Sequence, residues 1–173
     1  MTETGETGQG DLRRQMIEVL PRLRRFCLAL ARRQDVADDI CQATVERALA
    51  RADQFVSGSR LDSWMYKIAQ NIWIDENRKL RTRGHEVDVI EAFDMIGSDG
   101  VREVEGRSDL ARARSALAAL PEDQRTLITL VVLDGMSYKE ASETLDIPIG
   151  TVMSRISRAR RSIDRHVHGE DSQ

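Results

Sequence analysis

Aromatic residues and prolines are scarce in this sequence. Of its 173 residues, 4% are aromatic and three are proline. So few rings argue against an aromatic-rich β-sandwich, whereas the abundant Ala, Arg, Glu and Leu favour helices. Apolar residues make up 40% of the chain, which is enough for a packed core in one medium domain or two small ones. The composition therefore predicts an all-α protein.

Cysteines and long apolar runs are also rare. Cys27 and Cys41 lie in no CxxC motif, and each falls in an apolar helical pattern, which favours buried structural thiols over a redox pair or metal ligands. No stretch approaches the roughly 20 apolar residues that cross a bilayer. Residues 1–10 lack the basic start and apolar run of a signal peptide and are interpreted as a disordered tail. We expect a cytoplasmic protein without membrane insertion, metal or cofactor.

The histidines do not indicate catalysis. His85, His166 and His168 are the only three, and none stands at metal or catalytic spacing from acids or cysteines. An enzyme is therefore the least favoured class of function.

The net charge is only −3, but charge is unevenly distributed along the chain. Four of the six residues 78–83 are basic, and residues 155–165 contain five arginines and one acid. Between them, residues 85–109 contain eight acids and two arginines. Two basic segments separated by an acidic one predict two surfaces for anionic ligands on an otherwise acidic protein.

Hydrophobic periodicity predicts two helices at the start of the chain. Apolar residues recur with a helical period over residues 12–33, with a break or kink expected near Pro21. Asp35 is the predicted N-cap of the second helix, which should end near Asp53.

A third helix completes the first predicted domain. Residues 54–60 form a loop, and from Leu61 onwards an apolar stripe runs into the first basic segment. Three such helices predict a small bundle over residues 11–83. Residues 84–108 show no sustained period and are interpreted as a flexible acidic linker, long enough to hold two domains well apart.

The second predicted domain covers residues 109–167 and is followed by a short tail, residues 168–173. Its first helix spans residues 110–120, and Pro121 then begins another helix, which Gly135 should end.

Two further helices have the sequence form of a helix-turn-helix. Ser137 and Glu140 form a capping box for a helix that reaches Leu145, and a last helix spans residues 150–167. Its core-facing stripe at 100° per residue is Val152, Ile156, Ala159 and Ile163, and the opposite face carries Ser154, Ser157, Arg158, Arg161 and Arg165, flanked by Thr151, Met153 and Arg160. Such a face suits a DNA major groove, where arginine reads guanine and hydroxyls contact bases or phosphates. Arg155 lies near the rim, where it can contact phosphate or brace two helices.

The sequence resembles the extracytoplasmic-function (ECF) sigma factors of the sigma-70 family. "LPEDQRTLITLVVLDGMSYKEASETLDIPIGTVMSRISRAR" is similar to their region 4, with its LP-x-x-x-R opening and arginine-rich recognition helix. "DVADDICQATVERAL" and "SWMYKIAQNIWIDENRK" resemble two segments of region 2. The resemblance covers most of both predicted domains. The presence of both regions in this order and at this spacing is highly specific for the family.

The resemblance implies three binding surfaces. It implies contact with the β′ clamp helices of RNA polymerase through Asp38, Asp39, Gln42 and Glu46, where Ala43 replaces the usual Glu. It implies −10 contacts through Trp64, Lys67, Asn71, Trp73 and Arg78, and a loop at residues 54–60 that receives a flipped base. Of the two tryptophans, Trp73 lies off the apolar stripe and is the preferred stacking residue, whereas Trp64 also suits the core. It implies −35 contacts through Thr151, Ser154, Arg155, Ser157, Arg158 and Arg161, with Met153 where the family often has Lys or Arg.

The predicted function is therefore that of a sigma factor, which binds core polymerase at the β′ clamp helices and β flap, recognises −35 and −10 promoter elements and promotes DNA melting. The resemblance also implies an anti-sigma factor as a partner. The main alternative is a sigma-like mimic that titrates an anti-sigma factor without binding DNA, but such a mimic has no need of arginines on its last helix. A stand-alone helix-turn-helix repressor would not explain the first domain.

Overall fold

The chain is described by a computed structural model over residues 4–82 and 104–168, with side chains described over residues 10–79 and 111–167. Most of these residues are helical, with no strand in either range. The helices are α1 (Thr4–Ala31), α2 (Gln34–Ala50), α3 (Leu61–Thr82), α4 (Val104–Ala119), α5 (Glu122–Ile128), α6 (Tyr138–Leu145) and α7 (Ile149–His168), with a 3-10 turn at Ala52–Gln54 and a π-helical turn at Thr129–Leu133. The all-α prediction is confirmed.

Helices α1, α2 and α3 pack pairwise against one another as the predicted three-helix bundle. Its centre contains Leu23, Phe26, Met65 and Tyr66, none of which is accessible to solvent. The rings of Phe26 and Tyr66 stack with centroids 4.6 Å apart, which joins α1 to α3.

Helix α1 is longer and more regular than the sequence indicated. It begins at Thr4, inside the segment predicted to be a disordered tail, and it continues through Pro21 without a break. Proline removes one backbone hydrogen bond, but Val19 and Leu23 are both buried on either side of it. Packing of both flanking turns on the same core therefore keeps α1 a single helix. The predicted break was wrong, and a kink at Pro21 stays a prediction.

The start of α2 also differs from the prediction. Its N-cap is Arg33, which provides no side-chain cap, and Arg32 turns the chain there with φ +59°. Asp35 lies one position inside the helix, where it accepts hydrogen bonds from Arg33. That guanidinium, with the Val36 N–H, lowers the pKa of Asp35. Asp35 therefore acts in the first turn, where the helix dipole favours an acid, and not as the cap.

The second domain follows the sequence closely from Pro121 onwards. Its first helix, α4, begins at Val104, within the segment interpreted as linker, and Pro121 is the N-cap of α5. Gly135, with φ +71°, ends the helical stretch as predicted. The centre of the domain is formed by buried side chains from α5, the π-helical turn and α7: Leu127, Leu130, Val152 and Ile156.

The predicted helix-turn-helix is present. The Ser137 hydroxyl accepts from the Glu140 N–H at 3.2 Å, and the Ser137 N–H donates to Glu140 Oε2 at 2.7 Å, which is the capping box of α6. Asp146 ends α6 in the left-handed region with φ +53°, and α7 begins three residues later. The core-facing stripe of α7 is confirmed: Val152, Ile156 and Ala159 are buried and Ile163 is half-buried.

The two domains lie in contact, whereas the sequence suggested that they are held apart. Helix α1 packs against α5 and the π-helical turn, and α3 packs against α6. Buried apolar residues of both domains form one continuous cluster. The remainder of the predicted linker and the tail after residue 168 lie outside the described residues.

Candidate nucleic-acid interface

The exposed face of α7 carries the side chains that the sequence assigned to the −35 element. Burial of its opposite stripe fixes the rotation of the helix, so Ser154, Ser157, Arg158 and Arg161 face solvent, while Thr151 is half-buried. The Ser154 hydroxyl donates to the Thr151 carbonyl at 3.0 Å, and Arg158 Nε lies 3.4 Å from the Ser154 carbonyl. The hydroxyls lie in the first turns and the arginines follow, an order that suits a helix entering a major groove N-terminus first.

Arg155 braces two helices of the second domain. Its Nε lies 2.9 Å from Asp123 Oδ2, and 28% of its side chain is exposed. The sequence left bracing and phosphate contact open for this residue. The ion pair joins α7 to α5 and holds the guanidinium at the rim of the exposed face, so its DNA contact stays a prediction.

A basic groove runs along α7 beside α5. Its volume is about 600 Å³, and it is lined by Pro121, Gln124, Arg158, Arg161, Ser162, Asp164 and Arg165. Three arginines on one wall favour a phosphodiester backbone, which accepts hydrogen bonds and carries negative charge. The groove therefore extends the predicted −35 surface from α7 towards α5.

On α3, four of the five predicted −10 residues share one face. Trp64, Lys67, Asn71 and Arg78 lie within an arc of about 60° at 100° per residue. Lys67, Asn71 and Arg78 are exposed, and Trp64 is half-buried against Phe55, with ring centroids 5.3 Å apart. One stripe of α3 therefore carries two cations, an amide and an indole ring.

Trp73 does not belong to that stripe. It lies about 160° around α3 from Asn71. Only 6% of it is exposed, and its indole N–H donates to Glu122 Oε1 of α5 at 3.0 Å. The choice of Trp73 as the stacking residue is thus corrected for this arrangement, because the second domain covers the ring. Of the two tryptophans, Trp64 is the one beside Asn71.

The acidic residues assigned to polymerase binding form one exposed face of α2. Asp38, Asp39, Gln42 and Glu46 all face solvent. Arg24 Nε lies 2.9 Å from Asp38 Oδ1, and Gln42 donates to Glu46 at 3.0 Å. The face is therefore exposed to a partner surface, while Arg24 of α1 holds the Asp38 carboxylate and Gln42 holds that of Glu46.

The predicted base-receiving loop faces the second domain. A cleft of about 300 Å³ is lined by Ser59, Arg60, Ser63, Trp64 and Lys67 of the first domain and by Glu140, Glu143 and Thr144 of α6. Arg60, the last residue of the loop, pairs with Asp62 in the first turn of α3 and with Glu140 across the cleft. Asp62 and, to a smaller extent, Glu140 raise the pKa of Arg60. The loop is thus closed on one side by α6.

Sequence reasoning missed the buried polar contacts between the domains. The Asp134 side chain has no solvent exposure; its Oδ1 accepts from Arg25 at 2.9 Å and its Oδ2 from the Tyr66 hydroxyl at 2.7 Å. Arg125 is buried and donates to the carbonyls of Ala29 and Leu120, each at 2.7 Å. Burial lowers the pKa of Arg125 to about 10. The available signal was that Arg125 and Asp134 flank one mainly apolar run, residues 126–133, where a buried charge requires a buried partner.

Within residues 10–79 and 111–167, no three His, Cys, Asp or Glu side chains are grouped to hold a metal ion. In the same part of the chain, no helix combines the length and apolar character needed to cross a membrane. Two helical domains, one of them a helix-turn-helix with an arginine-rich exposed face, define a DNA-binding protein.

Comparison with known proteins assigns the family. The family model "Sigma-70, region 4" matches residues 110–163, and "Sigma2 domain of PhyR" matches residues 16–70. The ECF RNA polymerase sigma factor EcfG of Rhodopseudomonas palustris is 34% identical over 152 residues, which are 88% of this chain and 82% of that protein. The chain belongs to the ECF sigma factors of the sigma-70 family.

Two solved structures resemble the whole arrangement. The sigma factor RpoE of Bartonella quintana, solved with the anti-sigma factor NepR, has a TM-score of 0.75 and 32% identity, covering 91% of this chain and 96% of that one. The PhyRSL–NepR complex of Sphingomonas sp. Fr1 has a TM-score of 0.62 at 24% identity, covering 89% and 87%, which shows the shared fold.

Proposed function

We propose that this chain binds core RNA polymerase, recognises −35 and −10 promoter elements and promotes DNA melting. The observation that carries the proposal is the rotation of α7: its apolar stripe is buried, which leaves Ser154, Ser157, Arg158 and Arg161 for DNA. Because the chain belongs to the ECF sigma factors, such a helix would act on DNA while the chain is bound to RNA polymerase.

The polymerase contact is proposed at the exposed face of α2. Asp38, Asp39, Gln42 and Glu46 would meet the β′ clamp helices, and the second domain would meet the β flap. An acidic, exposed helix face suits a basic partner surface and gives fast, salt-dependent association. Ala43 on the same helix is half-buried.

The −10 contact is proposed at the exposed stripe of α3. Asn71 can donate to and accept from a base edge, Lys67 can meet a phosphate one turn away, and Trp64 offers a ring at the edge of the loop. Arg78 extends the positive charge along the same stripe. Melting requires such a surface, because an unstacked base must be captured by new contacts.

An anti-sigma factor is the proposed regulatory partner. The relative RpoE was solved in complex with NepR, and it covers nearly the whole of this chain at 32% identity. A partner of this kind would compete with polymerase for the same exposed faces.

A sigma-like mimic is the second candidate, and the match of residues 16–70 to the Sigma2 domain of PhyR favours keeping it. A mimic would bind an anti-sigma factor without reading DNA. The exposed Arg158 and Arg161 beside a basic groove support the first candidate, because a mimic has no use for them.

Run-off transcription separates the two candidates. Purified core polymerase is incubated with genomic DNA fragments, with and without the protein. Discrete transcripts that depend on the protein are expected. Transcription that is unchanged by the protein, together with tight binding to an anti-sigma factor, would establish the mimic instead.

A further inference from the structure

We propose that an apolar notch at the start of α7, formed by Ile149, Gly150 and Met153, receives the 5-methyl group of a thymine in the −35 element. This role rests on the function proposed above, because it requires that α7 meet −35 DNA. It assigns a base preference to the one flank of α7 that the arginines and serines leave without a partner of their own chemistry.

Two large apolar side chains are exposed on consecutive turns at the beginning of α7. Ile149 is 49% exposed and Met153 is 55% exposed, and the two lie about 40° apart around the helix axis. Single exposed apolar residues are common on protein surfaces. These two, however, occupy the N-terminal turns of the second helix of a helix-turn-helix, which are the turns that contact base edges. An apolar flank in that place suits an apolar group on a base edge.

Gly150 leaves open space beside these side chains. It lies one turn before Met153 and Ser154, and a Cβ atom at this position would meet nothing within 4 Å among the described residues. Its φ is not in the left-handed region, so neither packing nor backbone conformation requires glycine here. Glycine is less favourable than alanine inside a helix, but it allows a ligand to approach the backbone closely. The space above Gly150 is therefore available to a small group held against Met153.

The chemistry of the flank selects a methyl group on DNA. Met153 carries no charge and no hydrogen-bond donor, so it offers nothing to a phosphate, whereas its flexible side chain packs well on small apolar groups. Thymine is the base of DNA that presents a methyl group in the major groove. Arg158 and Arg161 are exposed on the same helix and attract a phosphodiester backbone, which makes DNA the occupant.

Replacement of thymine by deoxyuridine tests the contact, because it removes the 5-methyl group and keeps every hydrogen-bonding group. The DNA is a promoter fragment obtained by run-off transcription, and filter binding of the holoenzyme is measured with one −35 thymine replaced at a time, on either strand. At one position wild type should lose about fourfold in affinity, as expected for one buried methyl group. Met153→Ala should bind native DNA about as weakly, and deoxyuridine at that position should weaken its binding no further.

Two further variants control for surface and structural effects. Val132→Ala is the matched control, since Val132 is 54% exposed in the same domain but lies outside α7. It should respond to each deoxyuridine as wild type does. Gly150→Ala should raise the midpoint of thermal unfolding yet weaken binding to the native −35 element, a combination that loss of structure cannot produce.

Three results would count against the notch. Equal deoxyuridine effects in wild type and Met153→Ala, or no effect at any −35 thymine, would overturn the proposal. Weaker binding of Met153→Ala to core polymerase would also overturn it, because the flank would then face a protein. Failure of the proposed function is distinct from these results, since wild type would then form no specific complex and no transcripts on native DNA.

Discussion

Arg158 is the residue whose position most directly predicts sequence reading. It is exposed on α7 between the hydroxyls of the first turns and the basic groove. Arg158→Ala should weaken binding of the polymerase holoenzyme to the −35 element by about 1–3 kcal/mol, because one bidentate base contact is lost. Filter binding of the holoenzyme to DNA that carries the native or a scrambled −35 sequence measures the effect. An equal loss on both would reassign Arg158 to a phosphate, and no loss would remove it from the interface.

Asn71 is the residue that distinguishes capture of melted DNA from ordinary duplex binding. It is exposed on the same stripe of α3 as Lys67. Asn71→Ala should abolish most open-complex formation on duplex promoter while leaving core binding intact, because the extruded base loses its edge contact. Permanganate footprinting measures the opening. On a template with a pre-opened −10 bubble, most of the loss should persist if Asn71 contacts the base, and it should disappear if Asn71 acts only to start melting.

Among helices, α6 carries a pH-dependent contribution to stability through its capping box. The backbone and hydroxyl of Ser137, with Arg60, lower the pKa of Glu140 from 4.5 to about 2. Because the folded value is the lower one, the stabilisation is complete above about pH 4.5 and is lost as the pH falls towards 2. Urea unfolding between pH 5 and pH 2 should therefore show a steeper loss for wild type than for Glu140→Gln, which cannot ionise. Parallel curves for the two proteins would contradict this role of Glu140.

The helices differ in how far the sequence predicted them. The capping box, Gly135 and the apolar stripe of α7 depend on local chemistry, so α6 and α7 could be predicted almost to the residue. The N-cap of α2 was predicted two residues late, at Asp35 where the structure has Arg33, because Asp35 suits either a cap or a first turn and its hydrogen bonds with Arg33 decide between them. A local sequence pattern cannot fix the start of a helix where an acidic residue suits both the cap and the first turn.

Contacts between distant segments account for the remaining differences. Trp73 is off the apolar stripe of α3 and therefore looked exposed, but Glu122 of the second domain covers it. The sequence marked Asp134 as a charge beside an apolar run but could not identify its partners, because they lie on α1 and α3. The exposed set on α7 could be read from periodicity, whereas the −10 residues around Asn71 were assigned from the family resemblance. The buried surfaces between domains could not, since each domain alone would leave them in water.

At the scale of the whole molecule, charge predicts weak binding to duplex DNA by the free protein. The net charge is −3, and the two basic surfaces belong to domains that are packed together. Electrostatic attraction to phosphates is the main source of non-specific affinity, and here it is small. Gel shifts should show tight, specific complexes only when core polymerase is added. A specific shift by the isolated chain at physiological salt would contradict this expectation.

Both tryptophans of the chain lie where its two domains meet, so tryptophan fluorescence should report whether the domains are in contact. Trp73 is buried against Glu122, and Trp64 lines the cleft beside α6. Separation of the domains would transfer both indoles to water, so the intrinsic emission of the free protein, excited at about 295 nm, should shift to longer wavelength when the domains separate. Replacing Trp64 or Trp73 by phenylalanine assigns the shift to one ring, and the buried Trp73 should contribute the larger part. Separation of the two domains can therefore be followed in real time without attaching a dye.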